Sequence, residues 1–191
     1  MKNILKNRWA LSTVVTTLII LVVSVLLAGV VTYFAINVTS TRVQEENLSL
    51  SKQHVWVATD GTAVAAIMVT NTGGRDVVLG KIAVRGQAKS SADAATDIFY
   101  VVAASGDTLT NDLNWTGAGA IAADDFPEGF TSTLAALGSD TLVLTSGSTM
   151  VIYINSPDSV NVNDIGLTVA ITVFTSQAIH YKESNVEAVV V

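Results

Sequence analysis

The chain has 191 residues, half of them hydrophobic, 14% charged and none of them cysteine, so disulfides play no part in its stability. The net charge of −6 is unevenly spread, because residues 53–191 carry five Lys and Arg against fourteen Asp and Glu. That acidic balance argues against nucleic-acid binding through this part, since attraction to phosphate needs Lys and Arg.

The chain opens on a short basic head, Lys2, Lys6 and Arg8, and then runs from Trp9 to Thr41 without a charged residue. Its centre, Leu18 to Val31, reads LIILVVSVLLAGVV. A water-exposed helix keeps a polar face, and this segment has none. From Leu11 to Val38 a helix would measure about 42 Å against a hydrocarbon core of about 30 Å, long enough to cross a bilayer. Three cations precede the segment, whereas Arg42, Glu45, Glu46 and Lys52 cancel after it. The N-terminus is therefore expected in the cytoplasm and everything beyond Thr41 outside. An ordinary cleaved secretory signal fits less well, because the apolar run is too long and Ala28-Gly29 is flanked poorly by Leu27 and Val30.

Residues 41–53, TRVQEENLSLSKQ, contain no Gly or Pro and many good helix formers. They extend the predicted helix to 11–52, with 1–10 as a basic leader and 53–191 as a separate outer domain. Gly29 and the Ser and Thr positions 12, 13, 16, 17, 24 and 32 offer places where helices approach closely.

From His54 the pattern changes to period two with β-branched residues: HVWVATDG, TAVAAIMVTNTGG, DVVLGKIAVRG, DIFYVVAASGD, TLVLTSGSTMVIYIN, DIGLTVAITVFTSQAIHY and NVEAVVV. Turns are expected at Thr72-Gly73-Gly74, Ser105-Gly106-Asp107, Ser146-Gly147-Ser148 and Ser156-Pro157-Asp158. Seven or eight strands at this spacing predict one sandwich-like, Ig-like domain, and with the helix an α+β chain. Residues 104–141, rich in Gly, Ala and Asp, are expected to form long loops with one or two short strands.

No catalytic constellation is present: two histidines, no Cys, no G-x-S-x-G, no H-E-x-x-H and no phosphate-binding glycine loop. The expectation is a protein that is not an enzyme and holds no cofactor. His54 and His180 read as solvent-facing side chains. The groups Asp107/Asp112, Asp124/Asp125/Glu128 and Asp158/Asn161/Asn163/Asp164 have the oxygen ligands that Ca²⁺ takes but no defined ligand order. Turn and capping chemistry is their simpler reading, with no metal. Asn37, Asn47 and Asn114 each begin an N-glycosylation sequon; Asn114, in the Gly-rich loop, and Asn47 are the candidates, and Asn37 would lie inside the helix. Trp56 is expected to pack the core, whereas Trp115 is a candidate exposed aromatic.

The N-terminal residues KNRWA followed by LSTVVTTLIILVVSVLLAGVV resemble the start of an archaeal type IV pilin or archaellin. The resemblance covers about 45 residues and implies a class III signal peptide, cut by a prepilin peptidase between Ala10 and Leu11. Trp9 separates Arg8 from Ala10, where the family usually has Lys or Arg directly before the small residue. The fifth position after that cut is Val15, which fits the archaeal branch, since bacterial type IV pilins carry Glu there. The family implies a homopolymer with helices bundled inside and β domains outside, acting in adhesion or motility. It also implies an assembly ATPase and a membrane platform protein as partners. The residues expected in the filament core are Val14, Val15, Leu18, Leu21, Val22, Val25, Leu26, Val30 and Phe34, which together cover most of the helix surface. The competing reading is a bitopic or minor-pilin-like adhesin anchored in the membrane.

Overall fold

The computed structural model describes residues 8–43, 45–89, 97–104, 107, 109–117, 135–136 and 142–190. It divides into two units, 1–43 and 44–191.

The first unit is one helix, α1 (Arg8–Val43), 36 residues and so about 54 Å long. From Leu11 to Thr41 every residue is exposed. Five of the helix's hydroxyls are satisfied locally. The hydroxyls of Thr16, Thr17, Ser24, Thr32 and Thr41 each donate to a backbone carbonyl three or four residues back, at 2.6 to 2.9 Å.

The helix ends at Val43, and the expected continuation to residue 52 is not made. Leu48 and Leu50, spaced as intermittent helical positions, are drawn instead into a strand, β1 (Leu48–Ala58), opposite Asn71 and Val69 of β2 (Ala63–Asn71). Leu48 is buried there, and that burial with a shared ladder outweighs the modest helix propensity of NLSLS. The approach is anchored by the carbonyl of Asn47, which accepts from the backbone N–H groups of Thr72 and Gly73 at 2.9 and 3.0 Å. Only glycine fits at 73: a Cβ would lie 2.7 Å from the Glu45 oxygen and 2.8 Å from the Asn47 nitrogen.

The remaining strands are β3 (Val77–Val84), β4 (Gln87–Lys89), β5 (Ile98–Val102), β6 (Ala135–Ala136), β7 (Leu142–Leu144), β8 (Thr149–Asn155), β9 (Thr168–Thr175) and β10 (Ile179–Val189). They join in the order β4-β3-β9-β10-β1-β2-β8-β5-β6, with β7 also beside β3. The path curls into two facing halves because β10 changes partners along its length. Residues 179–185 pair antiparallel with β9, and residues 186–189 pair parallel with β1.

The space between the halves is filled by Val55, Val57, Ile67, Val69, Met150, Ile152 and Ile154 from one side and by Leu79, Ile82, Ile171 and Val173 from the other. This is the expected sandwich-like domain, and the expected turns at 72–74, 146–148 and 156–158 all fall between strands. The turn at 105–107 lies mostly outside the described residues.

Two irregularities set which side chains face inward. In β1 one extra residue is inserted between Ser51 and His54, with Lys52 at φ 50°, a left-handed conformation. Before this bulge the even positions Leu48 and Leu50 face the core; after it the odd positions Val55 and Val57 do. A similar shift at Gly80 in β3 moves the core positions from Val77 and Leu79 to Ile82 and Val84.

Candidate functional site

Two features carry functional interest: the uncovered helix, and a loop laid across the outer face of the β1-β2-β8-β5 half.

On the helix, the nine residues expected in a filament core are between 46% and 65% exposed. At about 100° per residue they occupy a sector of about 220°. The rest of the circumference is also largely apolar, with Ile20, Leu27, Val31 and Val38 exposed there beside Ala28, Ala35 and the short hydroxyl residues Thr13, Thr17 and Ser24. Leu11–Thr41 is long and apolar enough to cross a membrane. Ala10 and Leu11, the expected cleavage pair, both lie inside α1.

The loop carries residues 109–117. Leu109, Leu113 and Trp115 pack on Trp56, Val64, Ala66, Phe99, Val101, Val151 and Tyr153, so β2 and β8 are buried on both faces. Trp56 therefore packs this second cluster beneath the loop instead of the space between the halves. Polar ties hold the loop at its edges. The Lys52 ammonium, aimed by the bulge, donates to the carbonyls of Thr110 and Asn111 at 3.2 and 2.7 Å. The Tyr153 hydroxyl donates to the Asn114 carbonyl at 3.1 Å, and burial raises its pKa.

His54 was expected in solvent, but its side chain is only 19% exposed and stands between two carboxylates. Nε2 is 3.0 Å from Asp112 Oδ1 and Nδ1 is 3.3 Å from Glu187 Oε1. Its ring stacks on Trp56, with centroids 4.9 Å apart and planes at 3°. Burial pushes the Asp112 carboxyl upward, but the bonds from His54 and the Leu113 N–H, with the charges of His54 and Lys52, more than offset this and hold it below the usual range. Trp115, expected as an exposed aromatic, is half-buried and meets Trp56 edge-on at 6.4 Å. Sequence alone gave no sign of either placement, because both depend on the bulge at Lys52 that turns His54 and Trp56 outward.

His180 is also sequestered: its Nε2 faces Glu46 Oε1 at 3.5 Å, with side chains 20% and 5% exposed. The acidic cluster at 158–164 makes a capping arrangement. Asn161 accepts from the Asn163 N–H, and Asp164 accepts from the Asn161 N–H, both at 2.9 Å. Asp164 also takes the Arg85 guanidinium at 2.7 Å, and these partners hold its carboxyl below the usual range despite desolvation. Asp124, Asp125 and Glu128 lie outside the described residues. Among the described residues no group of three or more His, Asp or Glu is placed to hold a metal ion.

Of the sequons, Asn47 and Ser49 are both exposed, with Leu48 between them buried. At the other, Asn114 is exposed but Thr116 is buried, and its hydroxyl has no partner among the described residues.

No protein-family model matches the chain, and no curated protein does. Among solved structures it overlaps a β-glucosidase from Listeria innocua in complex with glucose, at 11% identity and a TM-score of 0.27, over 77% of this chain and 16% of that one. The same enzyme in complex with isofagomine gives 11% identity, a TM-score of 0.26, 77% and 17%. The chain thus spans about a sixth of the length of these enzymes, and at such TM-scores the overlap assigns neither family nor activity.

Proposed function

We propose that this chain is a structural subunit of an archaeal type IV pilus-like surface filament, not an enzyme. The observation that carries this reading is the girth of α1: it has apolar residues on every side, bonds the hydroxyls of Thr16, Thr17, Ser24, Thr32 and Thr41 to its own carbonyls, and is exposed throughout Leu11–Thr41. Such a rod is at home in lipid, where an internally bonded backbone leaves nothing unsatisfied. Outside lipid it needs covering from all directions, and a bundle of sister helices supplies that. In water each Val, Leu or Phe so covered contributes about 1.5–3 kcal/mol.

The likeness of residues 6–31 to pilin N-termini supports the same sequence of states. A membrane-inserted precursor, with its N-terminus in the cytoplasm, loses its leader to a prepilin peptidase and is drawn into a homopolymer by an assembly ATPase and platform protein. The β domains then form the outer sheath, where Asn47 and Asn114 are candidate glycosylation sites. A binding role in adhesion belongs to that sheath.

N-terminal sequencing of fibres sheared from cells tests the proposal. A chain starting at Leu11 and dominating the sheared material supports it. A start at Met1, with the protein found only as a dispersed membrane species, points to the anchored adhesin instead, and a start after Gly29 points to ordinary secretion.

A further inference from the structure

Whatever is transmitted along the chain from α1 first meets the β domain at Asn47, whose carbonyl is held by the Thr72 and Gly73 N–H groups, and enters β1 at Leu48. That strand is interior. It is paired with β2 from Leu48 to Val57 on one edge and with β10 from Val55 to Ala58 on the other. Because the β10 ladder is parallel, Val189 leaves the sheet beside Ala58, at the end of β1 opposite to Leu48. The β9–β10 turn, Ser176–Ala178, lies at the Leu48 end, where His180 faces Glu46.

Side chains add cross-ties to both neighbours. His54 on β1 meets Glu187 on β10 at 3.3 Å, the Ser184 hydroxyl donates to the Gln53 carbonyl at 3.3 Å, and Lys52 holds the 109–117 loop.

We propose that β1 and its two ladders form a load-bearing clamp. Tension arriving through α1 and resisted at the far end of the domain draws β1 lengthwise. Its hydrogen bonds to β2 and β10, with the side-chain ties, are then sheared together. Tension resisted at the Leu48 end instead peels the strands apart, opening pairs one after another. The filament reading enters only as the source of the load, since a subunit held by its helix and gripped at its outer surface experiences the lengthwise pull.

Pulling the detergent-solubilised full chain in two directions tests the clamp without needing any polymer. The chain has no cysteine, so pairs of introduced cysteines give unique handles. Thr41→Cys with Val190→Cys loads β1 lengthwise, and Thr41→Cys with Gln177→Cys peels it. At a given force the lengthwise pair is expected to unfold at least about tenfold more slowly, the factor that roughly one further hydrogen bond held at the barrier supplies. Equal rates, or slower unfolding of the peeling pair, overturn the proposal, whereas absence of filaments from cells leaves it standing and removes only its source of load. Adding Val189→Pro removes an N–H that faces β1, since these groups alternate along the strand and the Val186 N–H goes to Leu167 on the other side. It should shrink the directional difference in molecules that keep the near-ultraviolet signal of Trp56 and Trp115. If that variant does not fold, Glu187→Ala, which cuts the tie to His54, gives the same reading. An unchanged difference overturns the role given to β10.

Discussion

Helix α1 and strand β8 are made of much the same residues and live in opposite surroundings. The helix segment LIILVVSVLL is 46–65% exposed at its large apolar positions, whereas β8 reads TMVIYIN and is fully buried from Met150 to Ile154. The difference lies in where backbone hydrogen bonds go. A helix closes them within itself, so α1 needs only an apolar environment and is indifferent to which one. A strand closes them with neighbours, and β8 must sit between β2 and β5 to exist at all. The chain thus joins a portable element to a self-contained one.

The sharpest way to break that comparison is a charge on the portable side. Val22→Asp puts a carboxylate at the middle of α1, which costs about 2.5–3.5 kcal/mol at a bilayer centre. Left unpaired in a helix bundle it costs several kcal/mol for each subunit. The expected outcome is loss of sheared filaments with an unchanged melting transition of the β domain in detergent. Filaments at normal abundance would show that α1 is not buried in them.

The converse change is Ile152→Ala in β8, whose side chain is fully buried. It should remove about 2–5 kcal/mol, a large share of the roughly 5–15 kcal/mol that holds a domain together. In detergent the near-ultraviolet signal should then be lost at much lower urea while helical ellipticity from α1 persists. Simultaneous loss of both would contradict the independence of the two parts.

How much of this was visible in the residues divides along the same line. The apolar helix and most strands were legible because their signals are local: an uncharged run, alternation, and Gly- or Pro-bearing turns. What escaped were long-range choices. Leu48 and Leu50 suit a helix or a strand, and β2 decided. The run DIGLTVAITVFTSQAIHY reads as one stretch but is β9, a turn at 176–178 and the beginning of β10. Arg85 and Gly86, both at positive φ, close the short β3–β4 hairpin where only the glycine signalled a turn. On the candidate site, the exposed girth of α1 followed from composition. The His54–Asp112–Glu187 grouping did not, since it joins residues far apart in sequence through a bulge whose left-handed residue is a lysine.

A smaller effect sharpens the boundary between the two parts. Gly73→Ala forces a methyl group against Glu45 and Asn47 backbone atoms that have no flexible side chain to yield. Relief requires the chain entering β1 to lift away, at a cost of about 1–3 kcal/mol, the range for overpacking. Hydrogen exchange should speed up at the amides of Thr72, Gly73 and the first residues of β1, with α1 unaffected. Uniform loss of protection across the domain would instead make Gly73 part of the global core.

The smallest effect concerns the loop that makes β8 buried on its second face. Asp112 has a depressed pKa, so the unfolded chain binds more protons at this site and the contribution of Asp112 grows with pH. It is fully present above the ordinary carboxylate value of about 3.9 and fades as pH falls through the lower folded value. The side chain is 65% exposed, which limits the effect to about 0.2–1 kcal/mol, the size of a solvent-screened pair. Asp112→Asn should therefore lower urea stability slightly at neutral pH, and the gap from the unmodified chain should close below about pH 4. A gap that stays constant with pH would mean that the loop is held by Trp115 and Leu113 on Trp56 and Tyr153 alone, with the charge of Asp112 incidental.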